Sequence, residues 1–194
     1  HCIGDSANRL ILHLYGKYLG EQNQRRWRIE HAQVVHPSDF DLFGKYNVVP
    51  SVQPTHATSD MYWAEARLGK TRLSGAYALK TLLKQNGWLP LGTDFPVEYP
   101  HPFYTFYAAV ARMDAKQFPQ GGFQTQDALT REEALRGMTI WAAMAAFEEQ
   151  EKGSLERGKL ADFIITDLDL MQDDLLRIRN STPLFVFLGG KRVK

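Results

Sequence analysis

Apolar and polar positions alternate along the chain in two periods, and the period changes repeatedly. From Ser6 to Leu19, Leu10, Ile11, Leu14, Tyr15, Tyr18 and Leu19 recur at helical spacing, and Gly20 is a stop signal. Trp27 to Val35 is short and apolar-rich, which predicts a strand. Pro37-Ser38-Asp39 opens a helix to about Tyr46, with Ser38 or Asp39 as cap. Val48 to Val52 is a β-branched run carrying Pro50, a second strand. Gln53 to Gly75 is long, polar and aromatic, and reads as a functional loop holding one short helix. Gly75 to Gln85 is helical and stops at Asn86-Gly87, and Trp88 to Gly92 is a short strand. A Pro- and aromatic-rich loop, Pro100 to Phe106, precedes a helix over Tyr107 to Met113. After a loop through Phe118 to Leu129, Thr130-Arg131-Glu132-Glu133 is a capping box for a long Ala-rich helix to about Phe147. Gly153 to Gly158 is a turn region, Phe163–Thr166 and Leu184–Leu188 are β-like, and Gly189-Gly190 turns the chain.

This alternation predicts parallel α/β architecture with a small β appendage. Composition fits a globular chain of 194 residues, 44% hydrophobic and 23% charged. With 23 Lys plus Arg against 22 Asp plus Glu, the net charge of +1 gives no electrostatic case for nucleic acid or an anionic membrane as partner. No apolar run approaches the ~20 residues of a membrane span. Cys2 is the single cysteine, so an intrachain disulfide framework and a Cys-rich zinc finger are excluded. The chain starts on His1-Cys2-Ile3-Gly4-Asp5, without Met or a signal pattern, and the sequence leaves its compartment unreadable.

Three residues fall where strands give way to loops: His1, His31 and Asp94. They are separated by 30 and 63 residues, against roughly 30 for one βα unit. Side chains at strand C-terminal ends converge on one face of a β/α barrel. Two His and one Asp on that face would suit Zn²⁺ or a similar divalent ion. From spacing alone, a hydrogen-bonded structural histidine is the commoner case, and Asp94 could be a turn or capping residue.

The words around these residues sharpen the reading. His1-Cys2-Ile3-Gly4-Asp5-Ser6-Ala7 resembles the H-x-I-G-D-x-A segment of the amidohydrolase superfamily, in its family 3 branch, which includes N-substituted formamide deformylase. Arg28-Ile29-Glu30-His31-Ala32-Gln33, Gln53-Pro54-Thr55-His56 with Asp60, Arg67 and Gly69 with Arg72, Gly92-Thr93-Asp94-Phe95-Pro96-Val97, and Gly153 to Asp162 resemble further motifs of that branch, in order along the whole chain.

The resemblance implies a metal-dependent hydrolase of non-peptide carbon–nitrogen bonds, with amide, formamide or cyclic amide substrates. It implies His1 and His31 as fifth- and sixth-strand metal ligands. Asp94 would be the eighth-strand ligand and the catalytic residue, taking a proton from a metal-activated water and passing it to the leaving nitrogen. The metal would be divalent, Zn²⁺ foremost, as one or two ions in the full-length protein. His56, Arg67, Arg72 and Trp63 are candidates for contact with a small-molecule substrate; loop packing is the competing reading for each. Glu30 would support its neighbours, Asp5 would cap its helix or contact His1, and His13, His36 and His101 carry no motif.

The implied fold is the C-terminal half of a (β/α)₈ TIM barrel, strands five to eight, over residues 1–152. Residues 153–194 would form the C-terminal strands of a small β-sandwich. A whole barrel needs about 250 residues, and no H-x-H pair occurs in the sequence. The expectation is therefore a part of a larger enzyme, inactive alone and associating with itself or with a missing N-terminal half. A metal-dependent deaminase or other hydrolase on the same fold, and a non-catalytic binding or regulatory relative, are the alternatives.

Overall fold

The structure is a computed structural model that describes residues 1–21 and 23–194. Its organising feature is a set of four extended segments lying side by side and parallel. Strands β1 (Arg28–Glu30) and β2 (Val49–Ser51) pair with Arg28 opposite Val49 and Glu30 opposite Ser51. Residues 1–3 flank β1, where Cys2 N–H donates to Glu30 O at 3.0 Å. Residues 90–92 flank β2, with Val52 N–H on Pro90 O at 3.1 Å and Gly92 N–H on Val52 O at 2.9 Å. The expected strands are thus present as neighbours but are short. His31 and Ala32 adopt φ values of 74° and 42° and end β1 abruptly, because left-handed backbone cannot continue a ladder.

Helix α1 (Asp5–Leu19) follows the first segment and ends at Gly20, whose φ of 67° suits glycine. Asn8, fully buried, ties the helix down: its Nδ2 reaches Cys2 O, Val34 O and Gly4 O at 3.0, 3.0 and 3.1 Å. The apolar stripe read from the sequence is wider than the face that packs. Leu12 and Leu19 are buried and Ile11 and Tyr15 are half-buried, whereas Leu10, Leu14 and Tyr18 point to solvent.

After β1 a single 3₁₀ turn leads into α2 (Phe40–Lys45). The stretch after β2 is more ordered than the sequence suggested, with two helices, α3 (Pro54–Asp60) and α4 (Ala64–Leu73), in place of a loop with one. Pro54 occupies the first turn of α3, where its missing N–H costs nothing. Helix α5 (Leu79–Asn86) starts later than its apolar pattern, because residues 75–77 pair with 33–35 instead. Val35 N–H donates to Gly75 O at 2.8 Å and Tyr77 N–H to Gln33 O at 2.7 Å. A Cβ on Gly75 would stand 1.9 Å from Val35 O, so no side chain fits.

Helix α6 (Pro102–Ala111) begins five residues before the predicted start. The capping box at Thr130 forms as read, but the long helix is broken at Thr139 into α7 (Arg131–Met138) and α8 (Ile140–Ala145). Thr139 has φ −122° and ψ −97°, and its hydroxyl donates back to Leu135 O at 2.7 Å. Gly137 on α7 lies against residues 89–91: Leu91 N–H donates to Gly137 O at 3.0 Å, and a Cβ there would stand 2.5 Å from Leu91 Cγ.

The end of the chain holds an antiparallel sheet of β3 (Phe163–Ile165), β4 (Phe185–Leu188) and β5 (Lys191–Arg192), in that order. Between β3 and β4 lies α9 (Leu175–Asn180), capped by Asp174, which the sequence reading did not anticipate. Leu168 and Ile178 join one core with Phe43, Leu82, Leu89, Phe103 and Phe106, so residues 153–194 are anchored onto the rest. No helix of the described residues is long and apolar enough to cross a membrane.

Candidate metal centre

Three of the four parallel segments end on one close group of donors, and the fourth, opened by His1, touches that group at His31. His1 opens the first, His31 follows β1, His56 lies in the first turn of α3 after β2, and Asp94 follows residues 90–92. His1 Nδ1 stands 3.1 Å from His31 Nε2. His56 Nε2 stands 3.7 Å from Asp94 Oδ2. Donor atoms of His31, His56 and Asp94 all lie within 4.8 Å of one another, and both imidazoles are buried. The rings of His31 and His56 stack at 5.9 Å.

Two observations fit this group to a cation. Two imidazole nitrogens bound to one Zn²⁺ at 2.0–2.1 Å and a tetrahedral angle stand about 3.3 Å apart, close to the His1–His31 separation of 3.1 Å. His56 Nε2 is buried without a hydrogen-bond partner among the described residues, a state that costs free energy until something binds it. Burial lowers the affinity of His56 for a second proton, against the pull of Glu98, Asp60 and Asp94 and together with the nearby His31. A neutral imidazole is the form that binds a metal or donates a single hydrogen bond.

The backbone is strained at two of these residues. Asp94 has φ 57° and His31 has φ 74°, conformations that cost a non-glycine residue on the order of 1–3 kcal/mol and cluster at functional sites. A turn holds Asp94, with Val97 N–H on Asp94 O at 2.8 Å. Ser59 Oγ on α3 donates to Glu98 Oε1 at 2.6 Å and fastens the loop after Asp94 to the helix that carries His56.

The remaining candidates lie apart from this group. Arg72 holds Asp5 through two bonds of 2.9 and 3.0 Å, which depresses the Asp5 carboxyl below its usual range. Arg67 is exposed on α4 and forms no ion pair among the described residues. Trp63, nearly half exposed, precedes α4. Glu30 pairs with Arg28 two residues before it on β1.

Sequence reasoning missed a support layer made of amides. Gln53 Oε1 meets His31 Nδ1 at 2.9 Å. Gln33 Nε2 and Tyr77 OH both donate to Asp60 Oδ2, at 3.0 and 2.8 Å, and join the end of β1 to α3. These amides lie two residues from a histidine or three before one, the only signal the sequence offered. A water-sized cavity of about 10 Å³ lies among His31, His56, Gln33, Gln53 and Tyr77. A far larger groove, about 740 Å³, runs between α7–α8 and β3; its charged pair Glu148–Lys152 is self-neutralised, and it lies on other elements than the histidine group.

A family model described as "Amidohydrolase family" matches residues 1–194. The chain belongs to the amidohydrolase family. Protein LONG AFTER FAR-RED 3 of Arabidopsis thaliana is 35% identical over 196 residues, covering all of this chain and 33% of that protein. N-substituted formamide deformylase of Arthrobacter pascens is 31% identical over 114 residues, 59% of this chain and 20% of that protein. The crystal structure of an uncharacterized metal-dependent hydrolase from Pyrococcus horikoshii OT3 superposes with a TM-score of 0.78 at 32% identity, over 90% of this chain and 34% of that one. This amidohydrolase-family chain therefore spans about a third of the length of the Arabidopsis protein and of the Pyrococcus structure, and it shares the mixed α/β fold of the latter.

Proposed function

We propose that this chain carries part of the active centre of a metal-dependent hydrolase of non-peptide carbon–nitrogen bonds, acting on amides, formamides or cyclic amides. The observation that supports it is the close group of His31, His56 and Asp94, touched by His1 through His31, at the ends of adjacent parallel segments, together with the family match and a formamide deformylase among the relatives. On this reading residues 1–152 contribute strands five to eight of a (β/α)₈ barrel, and residues 153–194 contribute strands of a β-sandwich. The whole enzyme is the active species. The solvent-facing Leu10, Leu14 and Tyr18 of α1 and Ile164, Ile165 and Leu188 of the sheet favour association of the chain with itself or with the remainder of a longer protein.

His1, His31 and Asp94 hold the metal. A bound Zn²⁺ or similar divalent ion supplies Lewis-acid polarisation of the scissile carbonyl and lowers the pKa of water. Asp94, half-exposed beside the buried histidines, accepts the proton of the attacking water and delivers it to the departing nitrogen. His56, neutral through burial, presents its unpartnered Nε2 to the substrate. A second reading is favoured by one observation: His56 is grouped with His31 and Asp94 within 4.8 Å, so His56 would replace His1 as third ligand.

Zn²⁺ competition against a chromophoric chelator separates the two. If His1 is the ligand, His1→Asn loses most Zn²⁺ affinity and His56→Asn keeps it. The opposite ranking selects the second reading. Equal, weak Zn²⁺ uptake by wild type and both variants sinks the metal centre.

A further inference from the structure

We propose that Gln53 is a positioning residue that fixes the tautomer of His31 and so aims the lone pair of His31 Nε2 at the metal position. The inference rests on the metal-centre reading above. Its first support is the amide's orientation. Gln53 Nε2 lies 3.5 Å from Ser51 O and Oε1 lies 2.9 Å from His31 Nδ1. The carbonyl of Ser51 accepts only, so it draws the NH₂ end of the amide and leaves the oxygen toward the ring. An amide oxygen cannot donate. Nδ1 must therefore carry the proton of neutral His31, and Nε2 is left as an acceptor, 3.1 Å from His1 Nδ1.

The second support is what Gln53 does not do. It is the N-cap residue of α3, with extended backbone (φ −123°, ψ 98°), yet its side chain makes no cap hydrogen bond. A side-chain oxygen at that position would ordinarily satisfy a free helix N–H. Here Asp, Ser or Thr would serve the helix better, and all are too short to reach from residue 53 to the ring in place of a Gln amide. The helix start has given up its cap to a contact with His31, the mark of a local rule broken for a site.

The third support is rigidity. His31 is 8% exposed and its backbone stands at φ 74°. Its N–H donates to Ser51 O at 2.8 Å, so the His31 backbone and the Gln53 amide hang from the same carbonyl of β2. A ligand histidine whose second nitrogen is so held needs no reorientation when the ion arrives, and loss of such a partner weakens metal binding by roughly 10–100-fold.

The test reads the tautomer directly. The chain is labelled with ¹⁵N-histidine and long-range ¹H–¹⁵N spectra are recorded without metal at about pH 8, above the ordinary imidazole range. Wild type should show His31 protonated on Nδ1. Gln53→Met, close in shape but unable to accept, should move the proton to Nε2, and Gln53→Glu should keep it on Nδ1. In Zn²⁺ competition the Met variant should bind roughly 10–100-fold more weakly than wild type, and the Glu variant within a few-fold of it. The inference is overturned if Gln53→Met leaves His31 on Nδ1, even where Zn²⁺ affinity falls, since the loss would then be merely structural. Should the Met variant not fold, a Glu variant with His31 protonated on Nε2 overturns it equally. A tautomer change without Zn²⁺ uptake by wild type upholds the role of Gln53 and refutes the metal centre.

Discussion

The ends of the parallel segments and the antiparallel sheet β3–β5 are built from similar short strands but differ in what their side chains face. Around β1 and β2, Ile29, Val48, Val49 and Val52 are all at most 4% exposed, and burial is what lets a few polar groups be held in strained, unpartnered states. In the antiparallel sheet Phe163 stacks on Phe187 at 4.5 Å, but no residue of its three strands is buried and Ile164, Ile165 and Leu188 face solvent. The titratable cluster of His31, His56 and Asp94 sits where the chain could desolvate it. The second sheet is held by its ladder and by the anchors Leu168 and Ile178 rather than by its own faces.

The sharpest break of this comparison is Asp94→Asn. In the intact enzyme it should lower turnover by about 10²–10⁴, the usual contribution of a positioned acid–base group, with Phe187→Ala leaving turnover unchanged; a steady-state assay reads both. Next in size is the core. Phe106, fully buried, should cost about 3–5 kcal/mol on replacement by Ala, whereas Phe187→Ala should cost about 1 kcal/mol, the value of one stacked pair. Denaturant unfolding monitored by fluorescence would erase the distinction if the two costs were equal.

A smaller effect concerns acid. Arg26 holds Glu149 through bonds of 2.6 and 3.0 Å and lowers the Glu149 carboxyl below its ordinary value. A depressed carboxyl stabilises the fold fully above the unfolded value of about 4.3 and loses that contribution as pH falls through the folded one. Glu149→Gln should therefore reduce stability at neutral pH and flatten its decline below about pH 4, seen in melting temperature against pH. The smallest change is expected at Ile165→Thr, within about 0.5 kcal/mol because the residue is exposed. The same substitution should reduce self-association in sedimentation.

What could be read in advance follows from which forces are local. The apolar spacing of α1, the capping box at Thr130 and the glycine stop at Gly87 are local and formed where expected. Only one of helices α3 and α4 was expected because their polar residues carry no clear apolar period, and α9 was hidden because six residues are too few to show one. His1, His31 and Asp94 stood out as words in order, but the close donor group takes His56 in place of His1. The approach of His56 to Asp94 was not legible, since it depends on how far residues 93–98 fold back onto α3. Nor was Gln53, whose bond to His31 spans 22 positions of sequence.

Gly137 offers a last consequence. Its carbonyl receives Leu91 N–H, three residues before Asp94, and its missing side chain lets α7 rest on Leu89 and Leu91. A lineage of this protein could drift at many surface positions and keep its histidine–aspartate group. Drift at Gly137, a residue with no functional group at all, would push the segment that aims Asp94. On the proposed function, inheritance of the reaction would run through a position that no inventory of acids, bases and ligands would protect.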